Sequence, residues 1–407
     1  MDPVRFPDDL IIPDASGTLL LVVLDGVGGL PHPDTGLTEL ETARIPNLDG
    51  LAARSSLGML LPVAPGVTPG SGPGHLALFG YDPTTNLIGR GVLSALGVGF
   101  ELRPGDAAVR LNLASLDGEG RILDRRAGRP SDQEARQVVE RLQAGLEAVP
   151  IGSGEVELSL IHEKEHRMVL IFRGEGLEAE ISDTDPQQTG VRPLEARALR
   201  PGSRPTAELF AGFEARVREI LANEERINGV LARGFARYDG FPSLKDRFGL
   251  SGVAIARYPM YRGVARLVGM EAERRPGSDE ESLEALEASF GEVDFHFLHF
   301  KAPDALGEDG DFGGKVRSLE EIDRLVPRLV ALDPDVLIVT GDHSTPSTLG
   351  AHSWHHVPLL LHSKWARPTG KAFREDVCRS GDLGSVRSCD LMSLALAHAG
   401  RLAKFGA

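Results

Sequence analysis

The sequence predicts an α/β protein with a mostly parallel central sheet, interrupted by an inserted domain of α+β type. Residues 19–24 and 336–339 are continuous apolar runs without alternation, as in strands that a parallel sheet buries on both faces. Between them, residues 101–239 mix alternating strands with amphipathic helices. The 407 residues also exceed the length at which a single hydrophobic core stops growing.

We therefore expect a discontinuous larger domain, residues 1–100 and 240–407, and an inserted domain, residues 101–239. The strands and helices predicted in the inserted domain are residues 108–113, 155–160, 131–148 and 206–223. Those predicted in the larger domain, beyond the two runs above, are residues 45–53, 293–300, 318–332, 357–361 and 389–401, with a bend at Pro327. The acidic stretch 271–292 reads as a solvated face.

Composition and charge exclude several classes of protein. The formal net charge of −15 argues against nucleic-acid binding, which needs a basic face. The apolar run at residues 19–24 is far shorter than the roughly 20 residues of a membrane helix, and the acidic N-terminus does not resemble a signal peptide. Cys378 and Cys389 suggest no disulfide framework. We expect a soluble cytoplasmic protein with no nucleic-acid or membrane partner.

Ser71 is the first candidate functional residue. It stands among Gly70, Gly72 and Gly74, and an apolar run follows, so a loop should become a helix here. Unpaired N–H groups and the positive end of the helix dipole can hold an anion at such a point. The hydroxyl therefore either caps the helix or carries a phosphate.

Two glycine-rich stretches are similar to nucleotide-binding motifs but depart from them. Residues 25–29 are similar to the dinucleotide fingerprint G-x-G-x-x-G, but Pro31 occupies the last glycine position. Residues 313–315, Gly-Gly-Lys, are similar to a phosphate-binding loop. Val316 follows where that loop needs Ser or Thr, so neither stretch predicts a nucleotide site.

Three of the predicted strands are followed by an aspartate: Asp25, Asp304 and Asp342. Ligands of open α/β sheets bind beyond the carboxyl ends of the strands. Three carboxylates there would raise one another's pKa unless cations lay among them. With His343 and His352 nearby, the set suits Mn²⁺, Mg²⁺, Zn²⁺ or Co²⁺.

A pair of metal ions also gives Ser71 a role. A serine hydroxyl is a poor nucleophile at neutral pH, and no sequence signal marks a partner histidine for a catalytic triad. Metal ions lower the pKa of a bound oxygen, and two ions about 3.5–4 Å apart recur in phosphoryl chemistry. The pattern therefore predicts metal-dependent phosphoryl transfer to Ser71.

Seven motifs in this order resemble the short, archaeal-type 2,3-bisphosphoglycerate-independent phosphoglycerate mutases of the alkaline phosphatase superfamily. They read LLLVVLDGVGGLP (19–31), PGSGPGHLALFGYDP (69–83), DRRAGRP (124–130), SDTDP (182–186), KAPD (301–304), DGDFGGKV (309–316) and TGDHSTP…HSWHHVP (340–358). The resemblance spans nearly the whole chain. It implies an alkaline-phosphatase-like three-layer α/β/α core that carries an inserted substrate-binding domain.

The resemblance also implies an isomerase of glycolysis and gluconeogenesis that interconverts 3-phosphoglycerate and 2-phosphoglycerate through a phosphoserine. Ser71 matches the nucleophile of the family. One metal position is matched by Asp25, Ser71, Asp342 and His343, and the other by Asp304 and His352. Two divalent ions are implied, Mn²⁺ ahead of Mg²⁺, Co²⁺ or Zn²⁺, and no 2,3-bisphosphoglycerate.

Glu308 departs from the family pattern D-x-x-G-H, in which the final histidine is a metal ligand. A carboxylate binds the same metals, so Glu308 is a candidate ligand that favours Mn²⁺ or Mg²⁺ over Zn²⁺. The alternatives are that Asp309 or His355 completes this position, or that one metal binds weakly.

Substrate contacts are expected from arginines, which hold carboxylate and phosphate groups in a bidentate manner. The candidates are Arg125, Arg126, Arg129 and Arg262, with Asp185 as acceptor for a glycerate hydroxyl; His75 and Asp82 are expected to be structural. The inserted domain would act as a lid that excludes water from the phosphoserine. A metal-dependent phosphatase or phosphodiesterase and a non-catalytic binding protein are the competing interpretations, and a homo-oligomer is left open.

Overall fold

The computed structural model describes residues 7–86, 88–148, 156–368 and 370–406. The chain divides into two compact units, a larger one of Met1–Leu87 and Pro242–Ala407 and an inserted one of Ile88–Phe241. The inserted unit begins before the predicted boundary at residue 101, because the helix Arg90–Val98 packs on the strands of that unit.

The helices and strands follow one another along the chain in three blocks. The larger unit begins with β1 (Leu19–Leu24), α1 (Glu39–Thr42), α2 (Pro46–Ala52), β2 (Ser56–Leu61) and α3 (Ser71–Leu78). The inserted unit contains α4 (Arg90–Val98), β3 (Ala107–Leu116), β4 (Ile122–Asp124), α5 (Asp132–Ala148), β5 (Glu157–Lys164), β6 (Arg167–Arg173), α6 (Arg204–Ile220) and β7 (Gly229–Arg237). The larger unit continues with α7 (Leu244–Phe248), β8 (Gly252–Ile255), α8 (Pro259–Leu267), α9 (Asp279–Ser289), β9 (Phe295–Phe300), α10 (Ala302–Glu308), α11 (Phe312–Asp323), α12 (Val326–Ala331), β10 (Val336–Thr340), β11 (Val357–Ser363), α13 (Glu375–Cys378), β12 (Gly384–Arg387) and α14 (Leu391–His398).

The central sheet of the larger unit has β1 in its middle, between β10 and β9. β1 runs parallel to both neighbours, with Leu21 opposite Ile338 on one side and Phe297 on the other. Every residue of these three strands is buried, which explains their continuous apolar runs. Because parallel strands end at the same edge of a sheet, the residues that follow β1, β9 and β10 meet there.

The full strand order of this sheet is β12-β2-β11-β10-β1-β9-β8. β11 runs antiparallel to β10 and β2, and the remaining neighbours are parallel. The predicted α/β class with a mostly parallel sheet is therefore confirmed, and the strand predicted at residues 357–361 corresponds to β11.

The inserted unit has a five-stranded antiparallel sheet, in which β3 pairs with β4, β6 and β7, and β5 pairs with β6. One face of β3 buries Val109 and Leu111 in a core that includes residues of α5 and α6. The alternating positions Arg110 and Asn112 therefore lie on the other face of the sheet. The strand predicted at 155–160 appears as β5, and residue 155 lies outside the described residues.

The helix predicted at residues 318–332 is two helices, α11 and α12. α11 begins earlier than predicted because the Asp311 side chain accepts a hydrogen bond from Gly314 N, 2.8 Å away, and so caps the helix. Pro327 lies in the first turn of α12, where a proline fits without losing a hydrogen bond. In the described part of the chain, no helix is both long and apolar enough to cross a bilayer.

Candidate active site

The loops that follow β1 and β10 bring Asp25, Asp342 and His343 together at the edge of the sheet. Their ligand atoms all lie within 4.8 Å of one another, and the three side chains are buried. His343 Nε2 lies 3.1 Å from Asp342 Oδ2 and 3.5 Å from Asp25 Oδ1. This group can hold one metal ion.

A second group, Asp304, His343 and His352, meets the same 4.8 Å criterion. His352 Nε2 lies 3.4 Å from Asp304 Oδ1, and the rings of His343 and His352 stack with centroids 3.7 Å apart. His343 Nδ1 lies 2.9 Å from Thr345 Oγ1, which leaves Nε2 facing Asp25 and Asp342. The geometry thus pairs His343 with the first group and His352 with Asp304.

Glu308 lies beside this second group. It follows Asp304 by four residues in α10, a spacing that puts both side chains on one helix face. Glu308 Oε1 is 3.5 Å from His352 Nε2, although the Glu308 side chain is half exposed. Asp309 is exposed, and His355 Nδ1 instead lies 3.1 Å from Ser353 Oγ. Of the three candidates, Glu308 is the one that forms an ion pair with His352 among the described residues.

Ser71 is the first residue of α3, and Gly70 is the N-cap. The interpretation of Ser71 as the N-cap of this helix is therefore wrong, because Gly70 occupies that position. Ser71 Oγ instead lies 3.3 Å from His343 Nε2. Gly74 allows α3 to lie this close to the loop after β10, because a Cβ at position 74 would be only 2.7 Å from Asp342 O.

Several further groups surround the cluster, and sequence reasoning assigned them no chemistry. Lys301 Nζ lies 3.2 Å from Asp25 Oδ2 and also contacts Asp304 Oδ2. His75 Nδ1 lies 2.8 Å from Ser71 O, and Tyr261 and His299 contact Asp25 Oδ2. In the sequence Lys301 directly follows a buried strand, as Asp25 does. This position is therefore the signal that could have identified Lys301.

The electrostatics of the cluster favour a bound cation. Three buried carboxylates share the site with one lysine. Among the described residues, Asp25 Oδ1 and Asp342 Oδ2 have no hydrogen-bond donor in suitable geometry. Buried charged oxygens are costly unless they are paired or coordinate a metal. The donor set of carboxylates, imidazoles and a hydroxyl fits divalent ions such as Mn²⁺, Mg²⁺ and Zn²⁺.

The pKa values of Asp304 and His352 in the second group also favour a bound cation. Burial works to raise the pKa of Asp304, but the hydrogen bond from His352 and the charge of Lys301 lower it far below the ordinary value. Burial works in the opposite direction on His352, yet Asp304 and Glu308 raise its pKa to about 10. Asp304 and Glu308 therefore stabilise positive charge beside them, whether a proton on His352 or a divalent cation carries it.

The predicted substrate residues lie in both units. Arg125 and Asp185 bind each other, with Nε and Nη2 of the arginine 2.8 and 2.7 Å from the two carboxylate oxygens. Arg126 and Arg129 are exposed in the turn between β4 and α5. Arg262 belongs to the larger unit, is buried, and donates from Nη1 to the carbonyls of residues 256 and 257.

A second arginine cluster in the inserted unit was missed by sequence reasoning. Arg110 and Arg233 are direct partners across β3 and β7, and Arg167 is the partner of Asn112 across β3 and β6. Burial, together with the charges of Arg90, Arg167 and Arg233, lowers the pKa of Arg110 to about 10, although Glu163 works to raise it. Within the described residues, Nε of Arg110 and Nε of Arg233 have no hydrogen-bond acceptor, although Arg233 Nε lies 3.8 Å from Asp183 Oδ2. This face of the sheet can bind an anion.

Comparison with known proteins agrees with these features. Residues 52–228 match the family described as 2,3-bisphosphoglycerate-independent phosphoglycerate mutase. Proteins named probable 2,3-bisphosphoglycerate-independent phosphoglycerate mutase are similar to the chain in one strain of Thermus thermophilus, at 52% identity over 393 residues, and in Deinococcus radiodurans, at 49% over 396 residues. Each alignment covers 96% of both chains.

Comparison with solved structures agrees with this result. A Pyrococcus horikoshii protein has a TM-score of 0.81 at 28% identity and covers 97% of this chain and 100% of its own. The cofactor-independent phosphoglycerate mutase of Thermoplasma acidophilum has a TM-score of 0.70 at 28% identity and covers 94% and 100%. On the strength of its near-full-length relatives, the chain belongs to the family of 2,3-bisphosphoglycerate-independent phosphoglycerate mutases.

Proposed function

We propose that the protein interconverts 3-phosphoglycerate and 2-phosphoglycerate through a phosphoserine at Ser71, assisted by two divalent metal ions. The observation that carries the proposal is the position of Ser71 Oγ. It is not used as a helix cap and lies 3.3 Å from His343 Nε2, in the cluster where Asp25 Oδ1 and Asp342 Oδ2 have no hydrogen-bond donor in suitable geometry among the described residues. A nucleophile placed among ligand groups is what metal-assisted phosphoryl transfer requires.

Asp25, Ser71, Asp342 and His343 would hold one ion, and Asp304, Glu308 and His352 the other. Bound divalent cations would neutralise phosphoryl oxygens and favour the deprotonated serine. As an oxygen ligand, Glu308 would favour Mn²⁺ or Mg²⁺ over Zn²⁺ at its position.

In the proposed reaction Ser71 Oγ forms a bond to the phosphorus of 3-phosphoglycerate, and the bond from phosphorus to the C3 oxygen breaks. The C2 hydroxyl oxygen of the retained glycerate then attacks phosphoserine and releases Ser71. Water takes no part in the reaction. Ser71 loses and regains its proton, and the proton lost by the C2 hydroxyl equals the one gained by the C3 oxygen. Lys301, beside Asp25 and Asp304, would stabilise negative charge on the departing oxygen.

The inserted unit would bind the glycerate part and exclude water. Arg90, Arg110, Arg167 and Arg233 offer positive charge for the carboxylate, alongside Arg125, Arg126, Arg129 and Asp185 from the sequence prediction and Arg262 of the larger unit. A role in glycolysis and gluconeogenesis and a location in the cytoplasm follow from this activity as predictions. Whether the enzyme forms a homo-oligomer is a separate question for its solution state.

The test supplies 3-phosphoglycerate and Mn²⁺ without 2,3-bisphosphoglycerate, and it measures 2-phosphoglycerate through enolase and free phosphate in parallel. We expect 2-phosphoglycerate to form with little phosphate release. Phosphate release without 2-phosphoglycerate would identify a phosphatase instead. A protein that binds no metal and shows no Ser71-dependent turnover would be a binding protein.

A further inference from the structure

Lys315 is a buried lysine that the proposed reaction does not use. It lies in α11, in the Gly-Gly-Lys segment that is similar to a phosphate-binding loop. Its side chain is fully buried. Removing an ammonium group from water is costly unless partners satisfy its three donors, so this position requires an explanation.

The Lys315 ammonium group donates hydrogen bonds to three backbone carbonyls. Nζ lies 2.9 Å from Gly26 O, 3.2 Å from Gly28 O and 2.8 Å from Thr345 O. The two glycines belong to the loop after β1, and Thr345 belongs to the loop after β10. One side chain therefore joins the two loops that supply the first metal group.

The two loops also contact each other around this ammonium group. Thr345 N donates to Gly26 O and Gly28 O at 3.2 and 3.1 Å, so both carbonyls are shared with Lys315. A Cβ on Gly28 would lie 1.9 Å from Ser344 Oγ, which leaves room only for glycine. Contacts this close leave the loops little freedom to shift against each other.

Thr345 connects the loops to the ligands of both groups. Its Oγ1 lies 2.6 Å from Asp304 Oδ1 and 2.9 Å from His343 Nδ1. The orientation of Asp304 and His343 therefore depends on the position of Thr345, which Lys315 holds through its carbonyl. Hydrogen bonds of this indirect kind commonly set the geometry and affinity of metal sites.

The charge of Lys315 is balanced outside the metal cluster. Glu39 Oε1 lies 3.8 Å from Nζ, and it accepts a hydrogen bond from Ser347 N at 2.8 Å. Glu39 is itself fully buried. Among the described ion pairs Lys315 has Glu39 as its partner, whereas Asp25 and Asp304 are paired with Lys301.

We propose that Lys315 is a positioning residue that sets the geometry of the metal ligands before any cation binds. This inference rests on the metal centre of the proposed function. It concerns metal affinity, however, and can therefore be tested apart from the isomerase activity.

The test compares Lys315→Met, which keeps the length of the side chain but removes its donors, with Leu319→Ala in the same helix. Leu319 is fully buried and serves as the control for a general loss of stability. Mn²⁺ is titrated into each metal-free protein, and free Mn²⁺ is measured by electron paramagnetic resonance. Thermal unfolding of each metal-free variant is recorded in parallel.

We expect Lys315→Met to weaken Mn²⁺ binding at least ~10-fold, as removal of indirect ligand contacts typically does. Its kcat should fall more than its KM changes. Leu319→Ala should unfold at a lower temperature but keep the wild-type Mn²⁺ affinity. Wild-type affinity in Lys315→Met, or an equal loss of affinity in both variants, would overturn the inference.

A measurement on the wild-type protein covers the case in which Lys315→Met does not fold. Amide hydrogen exchange in the metal-free protein should be slow in both loops, residues 25–29 and 343–347. Fast exchange that becomes slow only after Mn²⁺ is added would show that the metal, and not Lys315, orders the loops. A protein with slow exchange and normal Mn²⁺ affinity that forms no 2-phosphoglycerate would refute the proposed function alone.

Discussion

Two clusters of opposite charge have a similar design. The metal-ligand cluster of the larger unit consists of Asp25, Asp304, Glu308, Asp342, His343 and His352. The arginine cluster of the inserted unit consists of Arg90, Arg110, Arg167 and Arg233. Among the described residues, the first contains buried carboxylate oxygens without a hydrogen-bond donor, such as Asp25 Oδ1. The second, over the same part of the chain, contains guanidinium nitrogens without an acceptor, such as Arg110 Nε. Like charges assembled in one place are costly unless a ligand of opposite charge binds there. The comparison therefore agrees with the proposal of a cation in one unit and an anion in the other.

The largest effect is expected from Asp342→Asn in the metal-ligand cluster. Removing the charge should weaken Mn²⁺ binding and lower kcat/KM roughly 10³-fold or more, since charge stabilisation at the reacting group is lost. Asp333→Asn is the matched control, because Asp333 lies at the other end of β10, is exposed, and has a positive φ of 52° that asparagine tolerates. Metal titration and the enolase-coupled assay check both variants. Full activity of Asp342→Asn would contradict a metal role for this residue.

A smaller effect is expected from Arg110→Met in the arginine cluster. Loss of a charged donor to a substrate anion should raise KM for 3-phosphoglycerate roughly 10- to 100-fold, as about 1.5–3 kcal/mol of binding is lost. The metal-free variant should be as stable as wild type or more so, because it relieves repulsion between Arg110 and Arg233.

Arg141→Ala provides the control for Arg110→Met. Arg141 is an exposed arginine of α5 that pairs with Glu224, so its loss should leave KM unchanged. Steady-state kinetics and thermal unfolding distinguish the outcomes. An unchanged KM in Arg110→Met would mean that the arginine cluster does not bind the substrate. The comparison of a cation site with an anion site would then be wrong.

Glu308 tests the metal-ligand cluster at the residue where the chain departs from its family. Glu308→Ala should weaken Mn²⁺ binding about 10-fold or more, and Glu308→His should restore binding with a stronger preference for Zn²⁺. Glu284→Ala, at an exposed acid of α9, should change neither property. Competition between Mn²⁺ and Zn²⁺ gives the readout. Equal metal affinity in Glu308→Ala and wild type would mean that Glu308 is not a ligand.

The smallest effect concerns His166, which reports on the arginine cluster. Burial, followed by the charges of Arg167, Arg126 and Arg110, lowers its pKa to about 4. Inorganic phosphate bound at the cluster should raise this pKa by roughly 0.5, because it offsets positive charge. Histidine-selective NMR titrations with and without phosphate measure the shift. A pKa that phosphate leaves unchanged would place the anion elsewhere.

The lowered pKa of His166 in the folded protein also predicts how the free energy of unfolding depends on pH. The unfolded state binds a proton at the ordinary histidine pKa of 6.5, but folded His166 does not until about pH 4. The unfolded state thus holds more protons between these values, and stability should fall as the pH drops through this window. His166→Gln should flatten that dependence in chemical denaturation experiments. An equally steep dependence in the variant would assign it to other groups.

The sequence predicted the metal-ligand cluster far better than the arginine cluster, and the reason is topological. Asp25 and Asp342 each follow a buried apolar strand, so their meeting point follows from the rule for the edges of parallel sheets. Arg110 and Arg233 meet only because β3 and β7 pair in a particular antiparallel register. Register depends on bulges and long-range packing, which single-sequence patterns do not reveal.

Local signals account for the remaining differences. Gly70 rather than Ser71 caps α3, and both are plausible caps by residue type, so only the three-dimensional structure distinguishes them. His299 lies inside an apolar strand and reads as a core residue until its contact with Asp25 is seen. The sequence predicts no role for Lys315, since Val316 breaks the phosphate-loop pattern, but in the structure Lys315 joins the two ligand loops.

The central claim is that Ser71 accepts the phosphoryl group among the metal ligands, and rapid-quench labelling tests it most directly. The Mn²⁺-loaded enzyme is mixed with ³²P-labelled 3-phosphoglycerate, quenched within one turnover, and mapped by peptide mass spectrometry. We predict that label appears on Ser71 and then passes to 2-phosphoglycerate without release of phosphate. Formation of 2-phosphoglycerate with no label on Ser71 at any time would contradict the account.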